Sequence, residues 1–356
     1  MSNEIVLKRV STTSEFESLK SQWDTLFSNS ASQSAFLSWA WLFAWWKVNH
    51  EGKTLWLITA WSNDKLIGIA PLMLETRNSI LRVLTNLGTP QSDQGGFIHY
   101  RSEGAVVEQL FNYIIRNKSH WHIVELNEFD KTWLDEHNVS QRFQRENLHT
   151  LEDINNHYFI QLDNDWETFS TKLTQKFRKN LRRALRLAED MGSIDIKRYF
   201  GDQVSWDVFK TIIEINRFSN FPRLYNSQKE QALIKELASI QNHFDVYILS
   251  VNNEPIAYEY GFVVDGRFED WRSGFDTRFP QQISIGKLLA MKVVQECISR
   301  NYSEIDFLRG DESYKLEWQP NKRTYGRIRI FNNNIPGYLS RIWLQNVKPH
   351  IKNSAD

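Results

Sequence analysis

Along the chain, stretches with apolar residues at every second position exchange with stretches in which they recur every three or four. "EIVLKRV" (4–10), "TLWLITAW" (54–61) and "KLIGIAPLML" (65–74) predict strands, the last two joined by a tight turn at Ser62-Asn63-Asp64. "EFESLKSQWDTLF" (15–27) and "VVEQLFNYIIRN" (106–117) predict helices, and "GGFIHY" (95–100) and "HIVELNEF" (122–129) predict strands around the second of them. At "LEDINNHYF" (151–159) the pattern loosens, which suggests a domain boundary. Beyond it, "IDIKRY" (194–199) predicts a strand and residues 206–217 and 227–241 two helices. Residues 244–276 predict three or four antiparallel strands, with tight turns at Asn252-Asn253 and Asp265-Gly266. A helix over 285–300 and strands over 303–308 and 323–331 follow.

The two halves share no close sequence repeat, yet they share an order: strand, two helices, hairpin strands, strand, helix, strand. That echo, in a chain of 356 residues, implies two α/β domains of one kind in tandem, over 1–155 and 156–356. Each would hold a mixed, mostly antiparallel sheet flanked by helices, an α/β (α+β) architecture.

Composition narrows the function. Forty-three basic residues balance 43 acidic ones, so no overall field favours nucleic acid, although local patches remain free to bind anions. One cysteine, Cys297, excludes an internal disulfide and a Cys-rich metal site; it falls in an apolar helical pattern, as a packed thiol does. No metal is expected. "MSNEIVLKRV" lacks the apolar core of a signal peptide, and no stretch reaches the roughly 18 apolar residues of a membrane span. A cytoplasmic enzyme or binding protein is the expectation. Seven of the 14 Trp precede position 62, and "FLSWAWLFAWW" (36–46) concentrates four of them. Such a helix is either buried on most of its surface or a ligand-facing aromatic wall, and burial is the commoner fate.

Three segments carry candidate chemistry. "QQISIGKLL" (281–289) joins a small-residue loop to a helix start, where free backbone N–H groups and the positive dipole end favour an anion. Ser284 fits an N-cap, Gly286 would allow close approach of a phosphate, and Lys287 adds charge; an ordinary capped helix has the same pattern. "TQKFRKNLRRALRLAED" (174–190) has an apolar face, continued from Phe169 and Leu173 through Phe177, Leu181, Ala184 and Ala188. Lys172, Lys176, Arg178, Lys179, Arg182, Arg183 and Arg186 crowd the rest, seven cations within 15 residues. A solvated face and a phosphate platform both fit. In "DFLRGDESYKLEW" (306–318), Asp306 lies on a strand whose neighbours Ile305 and Phe307 face the other side, and Arg309-Gly310 turns the chain. Asp311 would cap a short helix bearing Glu312, Tyr314 and Lys315. A carboxylate, a phenol and a cation are what proton transfer from an amine and to a thiolate requires.

These segments resemble the GNAT acyltransferases, in the CelD/BcsL-like and Fem-like branch. GNAT enzymes hold the pyrophosphate of acyl-CoA with Q/R-x-x-G-x-G/A; here it is Gln281-x-x-Ser284-x-Gly286, with Ser replacing the first glycine. The branch pattern F-R-x-N-x-R-R-A is similar to Phe177–Ala184, and D-F-x-x-G-x-x-x-Y-K to Asp306, Phe307, Gly310, Tyr314 and Lys315. The resemblance is sharpest over residues 177–318; Fem-like proteins consist of two GNAT-like domains.

The resemblance implies acetyl-CoA or another acyl-CoA as co-substrate, held at Gln281, Ser284, Ile285, Gly286 and Lys287. An amine of a small-molecule or nucleotide-sugar acceptor would attack the thioester directly, possible settings including surface-polysaccharide biosynthesis. The base would be one of Glu259, Asp270 and Asp306, with Tyr314 as acid. Arg178, Arg182, Arg272 and Lys315 would bind substrate, although Arg272 has an equally good structural role in ion pairs. A Fem-like enzyme drawing on aminoacyl-tRNA is the alternative, in which the basic helix binds RNA; net charge zero and the lack of a long heptad arm count against it. A non-catalytic protein that kept the fold is a third reading, kept open by Ser284.

Overall fold

A computed structural model of the chain describes residues 4–30, 32–100, 104–240 and 243–347. Thirteen strands are found among them: β1 Val6–Val10, β2 Lys53–Ser62, β3 Lys65–Arg77, β4 Leu81–Asn86, β5 Ile98–His99, β6 Ile123–Asp130, β7 His149–Gln161, β8 Ile194–Phe200, β9 Phe244–Val251, β10 Glu254–Val264, β11 Arg267–Phe275, β12 Glu304–Arg309 and β13 Asn321–Phe331. The described residues up to 155, with those from 324 onward, form one compact unit, and residues 156–323 form a second. Each unit is a mixed, mostly antiparallel sheet flanked by helices.

In the first unit the strand order is β1-β2-β3-β4-β6-β13, with β5 beside β3. Asn63 and Asp64 both adopt positive φ, the mirror-image turn that matches the twist of the β2–β3 hairpin. The single expected helix over 15–27 is two, Thr13–Ser18 and Lys20–Ser28, and "GGFIHY" yields only the two-residue β5. The Trp-rich helix Trp39–Asn49 is core: Trp39, Trp41, Trp45 and Trp46 are all buried, and Trp39 stacks on Phe43 at 4.4 Å. β4 and β6 are the unit's parallel pair, in register from Val83↔Ile123 to Thr85↔Glu125. Three residues beyond that last pair, the buried Glu128 takes φ +55°.

The unit division falls between Asn155 and Asn156, inside the stretch where the sequence pattern loosens. That stretch is part of β7, a 13-residue strand whose side chains are mostly half-exposed or exposed. Few of its residues bury an apolar face, so the alternation that marks a strand is weak there. The last strand was expected to close the second domain; instead β13 pairs with β6 from Tyr325↔Asp130 to Phe331↔Ile123 and completes the first unit.

In the second unit, residues 157–161 of β7 pair with β12, and the order continues β12-β11-β10-β9-β8. Asn252 and Asn253, then Asp265 and Gly266, take positive φ at the two hairpin turns. The basic helix spans Gln175–Glu189, with Thr174 Oγ1 accepting from the Phe177 amide at 3.2 Å as its cap. Its buried residues Phe177, Leu181, Ala184 and Ala188 pack on the helix Ile285–Ser299 and on Ile305 and Phe307 of β12. Trp318 closes this core, edge-on to Phe177 at 5.1 Å. Cys297 is buried in the same core, where desolvation raises its thiol pKa and removes it as a nucleophile.

Candidate active site

The second unit forks. β11 and β12 run parallel and pair only at Arg267↔Glu304, Phe268↔Ile305 and Glu269↔Asp306, yet β11 continues to Phe275. Asp270 is the first residue past the last pair, at the crotch. On its other edge β11 carries a bulge: Tyr260 opposes Arg272 and Gly261 opposes Asp270, leaving Trp271 extra. Gly261 is required there, since a Cβ would stand 1.9 Å from the carbonyl oxygen of Glu269. A glycine inside "YEYGF" was the sequence signal for this bulge, and it was not used.

Glu259, two residues from Gly261 and so on the same face of β10, is buried with Asp270. Burial raises the pKa of both carboxyls. Asp270 is pushed up to about 7, by desolvation first and then by Asp306 and Glu312, against the pull of Lys315. Glu259 lies well above the ordinary range through desolvation and the charge of Asp270. The two buried carboxyls titrate as a pair, and the pair loses its first proton near neutrality. Tyr314 is 41% exposed, but burial of its hydroxyl end, with Asp270, Glu259 and Glu312, raises its pKa and keeps the phenol protonated.

β12 leaves the fork abruptly. Buried Leu308 takes φ +57°, a conformation costly for a branched residue, and Gly310 follows at φ +114°. Asp306 holds this kink, its Oδ1 accepting from the Leu308 amide at 2.8 Å, while its Oδ2 lies 3.4 Å from Arg323. Arg323 also pairs with Glu304, and Arg267 with Glu269, so Asp306 belongs to an ionic cluster and shapes the turn. Lys315 is buried; its Nζ donates to the carbonyls of Arg309 at 2.8 Å and Gly310 at 3.3 Å and pairs with Glu312 at 2.8 Å. All three ammonium hydrogens are thereby used, and the cation reaches the carboxyl pair only through its field. Asp311 does not cap the helix Ser313–Glu317. Glu312 stands at the cap position without a side-chain capping bond, and Asp311 accepts from the Tyr158 hydroxyl at 3.3 Å.

The anion loop lies at the start of the helix Ile285–Ser299, after a 3-10 turn Gln281–Ile283. Ser284 does not cap with its side chain; it sits at φ +54°, ψ +55°, the left-handed conformation that glycine adopts most cheaply. Its carbonyl accepts from the Lys287 and Leu288 amides, and among the described residues no acceptor is paired with the amides of Ile285 or Gly286. Two N–H groups at a helix N-terminus are thus available to an oxyanion. A Cβ on Gly286 would press on the Phe275 ring at 3.0 Å. Gln281 is exposed, and Lys287 pairs with Glu317 at 2.7 Å and lies over the Phe177 ring at 5.6 Å.

That last contact joins two segments the sequence singled out separately, for the basic helix packs against the 3-10 turn of the loop. Lys176, Lys179, Arg182, Arg183 and Arg186 are exposed and Arg178 half-buried. No carboxylate is paired with any of the six among the described residues, in contrast to Lys172, which pairs with Asp163 at 2.7 Å. Arg272 is elsewhere. It opposes Tyr260 and pairs with Glu230 at 3.1 Å, with its guanidinium over Trp271 at 4.1 Å and the buried Tyr225 and Tyr260 hydroxyls bonded nearby. Adjacent strand positions face opposite ways, which separates it from Glu259.

Among the described residues, no group of three or more His, Cys, Asp or Glu is arranged to hold a metal, and no helix is long and apolar enough to cross a membrane. Residues 175–316, which contain the fork, the loop and the basic helix, match the acetyltransferase (GNAT) domain family. No curated protein sequence is significantly similar to the chain. Solved structures are similar in fold at low identity. The crystal structure of FemX superposes with TM-score 0.62 at 8% identity, over 90% of this chain and 96% of that one. L-PGS from Bacillus licheniformis gives 0.55 at 11%, over 91% and 94%. A tandem GNAT protein from the clavulanic acid biosynthesis pathway gives 0.52 at 8%, over 92% and 100%. The chain has the GNAT acyltransferase fold, and its GNAT domain points to a transferase.

Proposed function

We propose that the chain is an acyl-CoA-dependent N-acyltransferase of the CelD/BcsL-like branch, moving an acyl group, acetyl first among them, to an amine of a small-molecule or sugar-linked acceptor. Cytoplasmic surface-polysaccharide biosynthesis is the setting that the branch suggests. The observation that carries the reading is the coincidence, in one unit, of a strand fork, a protonatable carboxyl pair at its crotch and unpaired helix-start amides beside it. The amides of Ile285 and Gly286 take a pyrophosphate oxygen, with Lys287 and the near end of the basic helix supplying positive charge. β11 runs on past Asp270 without β12 alongside, and an extended, amide-bearing arm would lie there.

The amine nitrogen bonds to the thioester carbon, the C–S bond breaks, and the amine's proton goes to the Glu259–Asp270 pair. A base near pH 7 is well matched to that task. Taking up the proton removes the negative charge that helps to hold the Tyr314 proton in place, so the phenol becomes a better donor to the departing thiolate as the base is filled. Binding CoA and acetyl-CoA by titration calorimetry tests the reading. Micromolar binding that disappears in Gly286→Asp, where a carboxylate would crowd Phe275 and repel phosphate, supports it; unchanged binding in that variant refutes the placement.

A Fem-like, aminoacyl-tRNA-dependent reading draws support from one feature, the six unpaired cations on a helix that abuts the loop. Filter binding of bulk tRNA separates the two, because retention through such a face falls steeply with salt.

A further inference from the structure

In the first unit, the helix Ile335–Ile342 continues directly into a π-helical turn, Trp343–Val347, and presents its large apolar side chains to water. Asn334 caps it, Oδ1 accepting from the Gly337 amide at 3.0 Å, and Pro336 occupies its first turn. Its closest inward contact is made by its smallest residue: a Cβ on Gly337 would lie 2.3 Å from the Asn332 carbonyl oxygen and 2.9 Å from that of His122. Ile335 is 77% exposed, Tyr338 52%, Leu339 58% and Trp343 49%. Their spacing of three, one and four places all four on a single stripe. Single exposed apolar residues are ordinary, but a stripe of four large ones marks a contact surface.

Cations frame the stripe. The Arg341 guanidinium lies over the Tyr338 ring at 5.1 Å. Asn332, just before the helix, donates to the Lys118 carbonyl at 2.7 Å, and Arg82 donates to the adjoining Ser119 carbonyl at 3.0 Å. Among the described residues no carboxylate pairs with Arg82, Lys118 or Arg341. Two copies of this surface would bring like charges together, and a nucleic acid would leave the aliphatic side chains without a partner. Ile and Leu beside Tyr and Trp, with Arg and Lys nearby, match the boundary of a bilayer with anionic headgroups.

We propose that this helix is an interfacial anchor that docks the protein on an anionic phospholipid surface, without spanning it. The apolar stripe enters the headgroup boundary and the three cations lie over the phosphates, two weak signals that act together. The test is co-sedimentation of the full chain with phosphatidylglycerol-containing vesicles and with pure phosphatidylcholine vesicles. Anionic vesicles should bind at least tenfold more tightly, and three cations near such a surface allow a difference of about a hundredfold. Leu339→Ser with Trp343→Ser, at exposed positions whose loss leaves the melting temperature unchanged, should reduce binding at least tenfold. Arg82→Gln with Lys118→Gln should abolish the preference for anionic lipid. Absence of binding to either vesicle, equal binding to both, or a dimer in sedimentation velocity that the Ser variant dissociates would each overturn the proposal.

Discussion

Replacing Asp270 by Asn removes a carboxyl whose proton the fold retains up to about pH 7, against roughly 3.9 in an unfolded chain. Between those values the folded state binds the proton and the unfolded state does not, so stability falls as pH rises through this window and levels off above 7. Three pH units at about 1.4 kcal/mol each give a penalty of about 4 kcal/mol at pH 8 that is absent near pH 4. Asn is isosteric with the protonated form and carries no charge. Asp270→Asn should therefore match the parent protein at pH 4.5 and exceed it at pH 8, by a margin approaching that figure. The remaining carboxyl, Glu259, loses the neighbouring charge that helps to raise its pKa, which adds to the gain. Urea unfolding at the two pH values, with equal m-values, measures the difference. In the same variant the acyl-transfer rate should fall, and the acidic limb of the pH–rate profile near 7 should move. A stability increment independent of pH would refute the assignment of a raised pKa to this site. An unchanged pH–rate limb would refute its role as base.

Ser284→Gly should stabilise the protein by about 0.5–1 kcal/mol, because relief of a left-handed residue outweighs the extra entropy of glycine when unfolded; thermal melting reads it. Gly261→Ala should cost several kcal/mol, since the Glu269 carbonyl oxygen would lie 1.9 Å from the new methyl, and should depress turnover more than acyl-CoA affinity because the bulge sets Asp270.

Much of this fold was legible in the chain because hairpins announce themselves: Asn63-Asp64, Asn252-Asn253 and Asp265-Gly266 each supply the residue types that tolerate positive φ, between runs of period two. β7 was missed for the opposite reason, as its side chains are largely wet and strand pairing, which sequence does not encode locally, specifies it. The return of β13 to the first unit is likewise a long-range pairing that no local pattern reveals. At the site, side-chain types were readable but directions were not. Lys315 looked like a substrate ligand, and its hydrogens are all turned to the Arg309–Gly310 turn and Glu312; Asp306 looked like a base, and it supports the kink at Leu308. Ser284 looked like a departure from the glycine pattern, yet it keeps the backbone that the glycine would have had.

The kinks at Glu128 and Leu308 carry a consequence of another kind. Each is a buried, non-glycine residue at φ near +55°, Leu308 two positions past the β11–β12 pairing and Glu128 three past the β4–β6 pairing. In both units a rare backbone state follows closely on a parallel pairing. The two halves share no close sequence repeat, and a shared dihedral angle is the likeness that remains. In the first unit the place of the kink is filled by the buried side chains of Asn86, Asn127 and Glu128, so a fork like that of the second unit would be closed there.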